Sequence, residues 1–211
     1  MKRVKIVSFR DVIKSRRFSK YTPSLLIAKE LGLKYLIVEE NNITGPAVGT
    51  TILVDKITKI LKIENMLDLC CGTGALTKIA IENGVKKIFV LDKNLKAVKE
   101  NLKPLQKFIE FVEGDIFRFK TTEFFDLVVL DPPRYLIEKI VERFDFSTIN
   151  TNLFVMWHGS FSEEGWNSYV RDKLRNFFDK VYSFSVYGEE LSVCSGTHTG
   201  KKMLERLMKK W

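Results

Sequence analysis

Apolar positions along this chain follow two alternating rhythms. Short runs dense in Val, Ile, Leu and Phe read as buried strands. Between them apolar residues recur every third or fourth position, as on one face of a helix. Strands are expected near 65–70, 86–92, 108–113, 124–131, 152–158, 181–187 and 190–196, and helices near 74–83, 94–103, 134–143, 163–178 and 199–210. Such alternation builds a parallel sheet covered by helices. The last two strands have only Tyr187-Gly188-Glu189-Glu190 between them, too short for a crossover helix, so they are expected to form an antiparallel hairpin. Ahead of this core, Val4–Phe9 alternates weakly, like an edge strand. Thr22-Pro23 offers a capping hydroxyl and a proline at the first helical position, for a helix that stops at Gly32. Lys34–Glu39 is strand-like, residues 40–49 are turn-rich and the best linker, and Thr50/Thr51 open a helix to about Lys62. The expected organisation is a basic extension over 1–45 and one α/β domain over 46–211.

The chemistry gathers where the strands end. Asp68-Leu-Cys-Cys-Gly-Thr-Gly-Ala-Leu76 carries an apolar strand into an acid, a glycine turn and a helix start, the opening of a βαβ unit that binds an adenosine-containing ligand. Gly72 and Gly74 allow a sharp turn and a close backbone approach to that ligand. Asp92 ends the second strand twenty residues after Gly72, where an acid accepts both ribose hydroxyls. Phe111-Val-Glu-Gly-Asp115 ends a third strand in an acid. Phe125-Asp-Leu-Val-Val-Leu-Asp131-Pro132-Pro133-Arg134 ends a fourth in an acid and two prolines. Acids and glycines in register at one edge of a parallel sheet line a ligand crevice.

These residues resemble the class I S-adenosylmethionine (SAM) dependent methyltransferases, over roughly residues 46 to 200. The resemblance implies a Rossmann-like sheet of seven mostly parallel strands with an antiparallel last strand, and SAM as cofactor. It implies a cofactor site built from Asp68, Cys70, Gly72 and Gly74, with Asp92 and Lys93 at the ribose, Asp115 and Ile116 at the adenine, and Asp131 at the rim. Asp131-Pro132-Pro133-Arg134 looks like the Asp/Asn-Pro-Pro-aromatic motif of enzymes that methylate exocyclic amines. In them the acid and the following proline's carbonyl accept hydrogen bonds from the amine and draw its lone pair out of conjugation. The family usually places an aromatic residue fourth, to stack on a flipped base. Here Arg134 stands there with Tyr135 beside it, and a guanidinium can also stack. The same four residues resemble a motif of enzymes that methylate carbon-5 of pyrimidines in RNA, but those need a cysteine nucleophile near the sheet's ligand edge. Cys194, in the hairpin, reads instead as a small buried hydrophobe. Methylation of a small molecule or protein, and an aminopropyl transferase, stay open as further readings.

Composition narrows this picture. The adjacent pair Cys70-Cys71 supplies neither a spaced metal site nor a disulfide framework, so no metal is expected. No apolar run reaches the length of a membrane span, and a cytoplasmic enzyme with no membrane partner is expected. Net charge is +9, unevenly placed. Residues 1–20 hold eight Lys/Arg against Asp11, and residues 200–211 hold five against Glu205, so ends at +7 and +4 leave the body at −2. Basic ends on a near-neutral body point to a polyanion, RNA before DNA. The other histidine and aromatic positions read as structure: His158 as a satisfied histidine, the hydroxyls of Ser195–Gly200 as caps of the last helix, and Phe124-Phe125 and Phe177-Phe178 as core.

Overall fold

Seven hydrophobic runs pair edge to edge into the sheet that organises the molecule. The computed structural model describes residues 4–14, 23–39, 42–44, 47–159 and 165–211. Strands β4 (Asn65–Leu69), β5 (Lys87–Asp92), β6 (Ile109–Glu113), β7 (Phe124–Leu130), β8 (Asn150–Gly159), β9 (Lys180–Val186) and β10 (Glu189–Ser195) lie in the order β6-β5-β4-β7-β8-β10-β9. The five strands β6 to β8 run parallel, while β10 is antiparallel to both β8 and β9. Tyr187 and Gly188 turn the hairpin with φ of 52° and 76°, the left-handed pair that a two-residue hairpin loop requires. The expected seven-stranded, mostly parallel sheet with an antiparallel last strand is therefore present.

Helices sandwich the sheet. Helices α3 (Val48–Ile60), α4 (Ala75–Glu82), α5 (Lys96–Asn101) and α8 (His198–Met208) bury Leu53, Val54, Ile57, Leu76, Val98 and Leu204 on one face. Helices α6 (Ile137–Arg143) and α7 (Trp166–Arg175) bury Ile140, Val141, Val170 and Leu174 on the other. Successive residues of a strand point to opposite faces, so Leu127 and Val129 of β7 join the first core and Val128 and Leu130 the second. The paired phenylalanines divide in the same spirit. Phe125 and Phe178 are buried, whereas Phe124 and Phe177 are exposed, so the expectation that all four are core is corrected. Thr197 Oγ1 caps α8 by accepting from Gly200 N at 2.9 Å.

A second, three-stranded sheet precedes the large one. Strands β1 (Val4–Ser8), β2 (Tyr35–Glu39) and β3 (Asn42–Thr44) lie in chain order, all antiparallel, with α1 (Phe9–Lys14) and α2 (Pro23–Glu30) between β1 and β2. Two expectations change here. Residues 42–44 of the expected linker are a strand, and α3 begins at Val48 rather than Thr50. A turn-rich composition concealed a short strand because its pairing with β2 is not visible in the local pattern. The hydroxyl cap expected at Thr22 lies outside the described residues.

Val12, Leu25, Ala28, Leu33, Leu36 and Val38 of this small sheet and its helices form one core with Ala75 at the start of α4. Asn101, at the end of α5, stitches the two parts together. Its Oδ1 accepts from Lys34 N and Tyr35 N at 2.9 and 2.8 Å, and its Nδ2 donates to Tyr35 O and Thr73 O at 3.0 and 2.9 Å. Asn101→Ala should remove all four bonds and weaken this docking by about 2–3 kcal/mol, at the usual net value of part-exposed hydrogen bonds. Amide hydrogen exchange should then speed at Lys34 and Tyr35 while β4 stays protected. Equal acceleration across both sheets would mean the two parts unfold as one unit.

Candidate active site

The β4–α4 turn is wound through the left-handed region. Cys70, Gly72 and Gly74 have φ of 63°, 51° and 81°. Cys70 N and Cys71 N both reach Leu91 O, at 2.8 and 3.2 Å, which ties the turn to β5. Gly74 is required twice over, since a Cβ there would also sit 2.6 Å from Val98 Cγ2 and 2.8 Å from Leu102 Cδ1. Gly72 N donates to Asp92 Oδ2 at 2.9 Å, and Asn94 N to Asp92 Oδ1 at 3.1 Å. Burial pushes the Asp92 carboxyl up from its usual range, against the pull of those amides.

Asp68 lies beneath the turn and is fully buried. Its Oδ2 accepts from Thr77 Oγ1 at 2.6 Å, while its Oδ1 has no partner. Burial, helped by the nearby Asp92 charge, pushes its carboxyl up to about 7. Further out, Lys93 Nζ pairs with Asp115 Oδ2 at 3.0 Å, and Phe117 N donates to Asp115 Oδ1. The Lys93 ammonium holds the Asp115 carboxyl below its usual range. Ile116 is buried beside it. The turn, Asp92, Lys93, Asp115 and Ile116 thus share one edge of the sheet.

Asp131 follows β7 directly, and its N–H points to Leu69 O across a 3.5 Å gap, which sets it next to the cofactor turn. Its carboxylate is already engaged. Ala47 N donates to Oδ2 at 3.1 Å and Thr50 Oγ1 to Oδ1 at 3.3 Å. Glu189, at the start of β10, takes the next two amides of the same helix: Val48 N at 3.1 Å and Gly49 N at 2.6 Å. Burial first, then the charges of Asp68 and Glu189, push the Asp131 carboxyl up to about 7. Burial likewise raises Glu189.

Glu189 and the first turn of α3 were invisible as site residues in the sequence. One signal existed. A helix opening at Ala47-Val48-Gly49 has no capping side chain of its own, so its first amides must find acceptors elsewhere. Pro132 is buried, Pro133 half-buried, and Arg134 exposed at the head of a short 3₁₀ turn, Arg134–Leu136, with Tyr135 exposed beside it.

The remaining candidates are structural in placement. His158 is fully buried, its Nε2 3.1 Å from Ser192 Oγ, and burial pushes its imidazole down to about 4, so it is neutral at pH 7. Cys194 is fully buried, and burial pushes its thiol far up. The Cys70 and Cys71 thiols are raised by burial and by the surrounding aspartates.

These residues fit an adenosyl cofactor with an ammonium-bearing tail. The orphaned Asp68 Oδ1 lacks a donor, which an ammonium supplies. Each Asp92 oxygen keeps a lone pair for a ribose hydroxyl after its one amide. The left-handed turn exposes backbone rather than side chains to the crevice.

Comparison with known proteins agrees. Residues 44–144 match the family model of the methyltransferase small domain. A Methanocaldococcus jannaschii protein assigned as a protein N5-glutamine methyltransferase is 32% identical over 103 residues, 47% of this chain and 51% of that protein. The chain therefore spans about half the length of that curated relative. An Escherichia coli rRNA methylase superposes with a TM-score of 0.57 at 16% identity, over 70% of this chain and 63% of the other. A spermidine synthase from Thermotoga maritima gives 0.57 at 14% identity, over 81% and 68%. At those identities the two structures share the fold alone. Residues 44–144 thus resemble the methyltransferase small domain, on a sheet with the fold shared by methyltransferase and spermidine synthase structures.

Proposed function

We propose that this protein transfers a methyl group from SAM to an exocyclic amine of a base in RNA. The observation that carries this reading is Asp131-Pro132-Pro133 at the end of β7, one strand from the cofactor turn and backbone-linked to Leu69. SAM, when bound, supplies a methyl group on a positively charged sulfur that leaves as a neutral thioether. The protein's task is then alignment, which alone removes much of such a barrier. Asp68 holds the cofactor's ammonium and Asp92 its ribose. Asp131 accepts a hydrogen bond from the acceptor amine, together with the carbonyl of Pro132, and frees the nitrogen lone pair. The two prolines fix the loop's φ angles, and the hydrogen bonds to α3 fix the carboxylate.

The rivals fare less well. Carbon-5 methylation needs a thiolate, and all three cysteines are held far towards the thiol form. For an aminopropyl transferase the rigid Pro132-Pro133 pair directly after Asp131 has no evident use. A second reading has a specific observation behind it. The M. jannaschii relative is assigned to glutamine side chains of proteins, and a primary amide nitrogen is also planar and conjugated. RNA is favoured by the basic N-terminal face. Lys5, Arg10 and Lys14 are exposed there, and Asn101 docks that sheet beside exposed Lys96, Lys99 and Lys103.

Four outcomes are expected. Asp92→Ala should weaken SAM binding by about 1.5–3 kcal/mol, as for charge-assisted bonds, measured by calorimetry; undiminished binding would place the cofactor elsewhere. Asp131→Ala should lower methyl transfer to RNA roughly 100-fold or more while SAM affinity stays within a few fold, measured with tritiated SAM on separated RNA, protein and metabolite pools. Label in the protein pool alone would favour the glutamine reading. Because only the ionised Asp131 accepts fully, turnover should rise with pH through about 7, and Asp131→Asn, which cannot titrate, should flatten that limb; a limb unchanged in Asp131→Asn would assign it to another group. Finally, replacing Lys5, Arg10 and Lys14 by Gln should reduce the log–log salt slope of RNA binding by about 2, at ~0.7 per phosphate on a single strand. An unchanged slope would make that face a solubility feature.

A further inference from the structure

Five buried side-chain polar atoms have no hydrogen-bond partner among the described residues. One is Asp68 Oδ1, beneath the β4–α4 turn. The other four, Trp157 Nε1, His158 Nδ1, Asn167 Oδ1 and Arg171 Nε, all belong to the carboxyl end of β8 or to α7. Buried polar groups left unpaired are costly and uncommon, so a cluster of them marks a place where something binds or adjusts. Asn167 lies near enough to His158 to favour the protonated imidazole, though neither His158 Nδ1 nor Asn167 Oδ1 completes a hydrogen bond. They lie with Ser192 and Val170 on the α7 side of the sheet. Trp157 is different. Alternation along β8 puts it on the α3 side with Leu153 and Val155, away from the other three.

Its neighbours there follow from register. Leu130 pairs with Met156, so Asp131 and Trp157, each one residue later, stand side by side. Leu191 of β10 pairs with Trp157, and Glu189 lies two residues before it on the same face. Asp131 and Trp157 are therefore neighbours on adjacent strands, and Glu189 lies two residues further along β10, at the first turn of α3. The two flanking carboxylates are filled by α3 donors. The indole N–H is the one donor among these three side chains, and it is unspent.

We propose that Trp157 is a specificity-determining residue of the acceptor site, its indole N–H donating to the ring atom beside the amine that Asp131 receives. This rests on the reading of Asp131 as the group that addresses an exocyclic base amine. In adenine, guanine and cytosine that amine is flanked by a ring nitrogen with a free lone pair, so the edge presents one donor and one acceptor. A carboxylate that accepts and an indole N–H that donates, carried on neighbouring strands, are complementary in hydrogen-bonding sense to that edge. Trp157 is part-buried and packs against both main cores, which fixes its ring. It also brings an aromatic surface to a site whose usual aromatic position holds Arg134. An amine with no adjacent lone pair gains nothing from this arrangement, and the site discriminates against it.

The test has a binding arm and a kinetic arm. In the wild-type protein saturated with S-adenosylhomocysteine, the indole ¹⁵N–H signal of Trp157 is followed by NMR and assigned against Trp157→Phe. The probes are AMP, GMP, CMP and N-acetylglutamine amide. A shift of the Trp157 signal with at least one nucleotide, with Trp211 unmoved, is the expected result. No shift with any probe, or a shift with the amide alone, would overturn the proposal. In the second arm, Trp157→Phe keeps the ring and loses only the N–H. Its KM for RNA should rise about five- to tenfold, as expected for one hydrogen bond, with kcat within about twofold and S-adenosylhomocysteine affinity unchanged. Wild-type methylation of RNA with an unaltered KM in Trp157→Phe would overturn the role of Trp157 and leave the base-amine reading standing. Wild-type transfer to protein alone, with a response only to the amide probe, would overturn both.

Discussion

Parallel pairing of β5, β4 and β7 forces three carboxylates to one end of the sheet, and the rest of the site is an answer to that constraint. Asp92, Asp68 and Asp131 end or nearly end these neighbouring strands, and each is pushed towards its protonated form by burial. Desolvation and like charge both oppose ionisation there. The structure offsets this mainly with backbone amides and hydroxyls: Gly72 and Asn94 for Asp92, where the Lys93 charge also helps, Thr77 for Asp68, and Ala47 and Thr50 for Asp131. One oxygen of the three carboxylates, Asp68 Oδ1, is left without a partner among the described residues.

The same economy builds the acceptor side. Helix α3 has no side-chain cap, and Asp131 and Glu189 cap it from two strands of the sheet. Their charges also match the positive end of the helix dipole. Structure and chemistry therefore share the same atoms. A carboxylate that fastens a helix is held still, and a still carboxylate can align a weakly nucleophilic nitrogen. Trp157 lies between the two, pinned by both cores.

Much of this was legible in the sequence, for identifiable reasons. Buried parallel strands are short apolar runs bounded by punctuation, so all seven core strands were found within about two residues of their observed ends. That Asp68, Gly72, Gly74, Asp92, Asp115 and Asp131 gather at one edge of the sheet was legible because a strand tip followed by a turn is a local pattern. What escaped was long-range. β3 shows itself only through β2, and Glu189 meets Val48 and Gly49 across 141 and 140 residues of chain. Helix α1 was missed because six residues are too few for helical periodicity to declare itself. Trp157 was read only as part of a strand, because its meaning comes from the residue beside it on β7.

The central claim is that Asp68, its carboxyl pushed up by burial, receives the cofactor's ammonium. Calorimetric titration of S-adenosylhomocysteine into the protein at pH 7, repeated in buffers of different ionisation enthalpy, tests this directly. A carboxyl raised towards 7 that gains a positive neighbour has its pKa lowered, so binding should release protons from the protein. That release should vanish in Asp68→Asn while weaker binding persists. No binding by the wild-type protein, or binding with the same proton release in Asp68→Asn, would contradict the account.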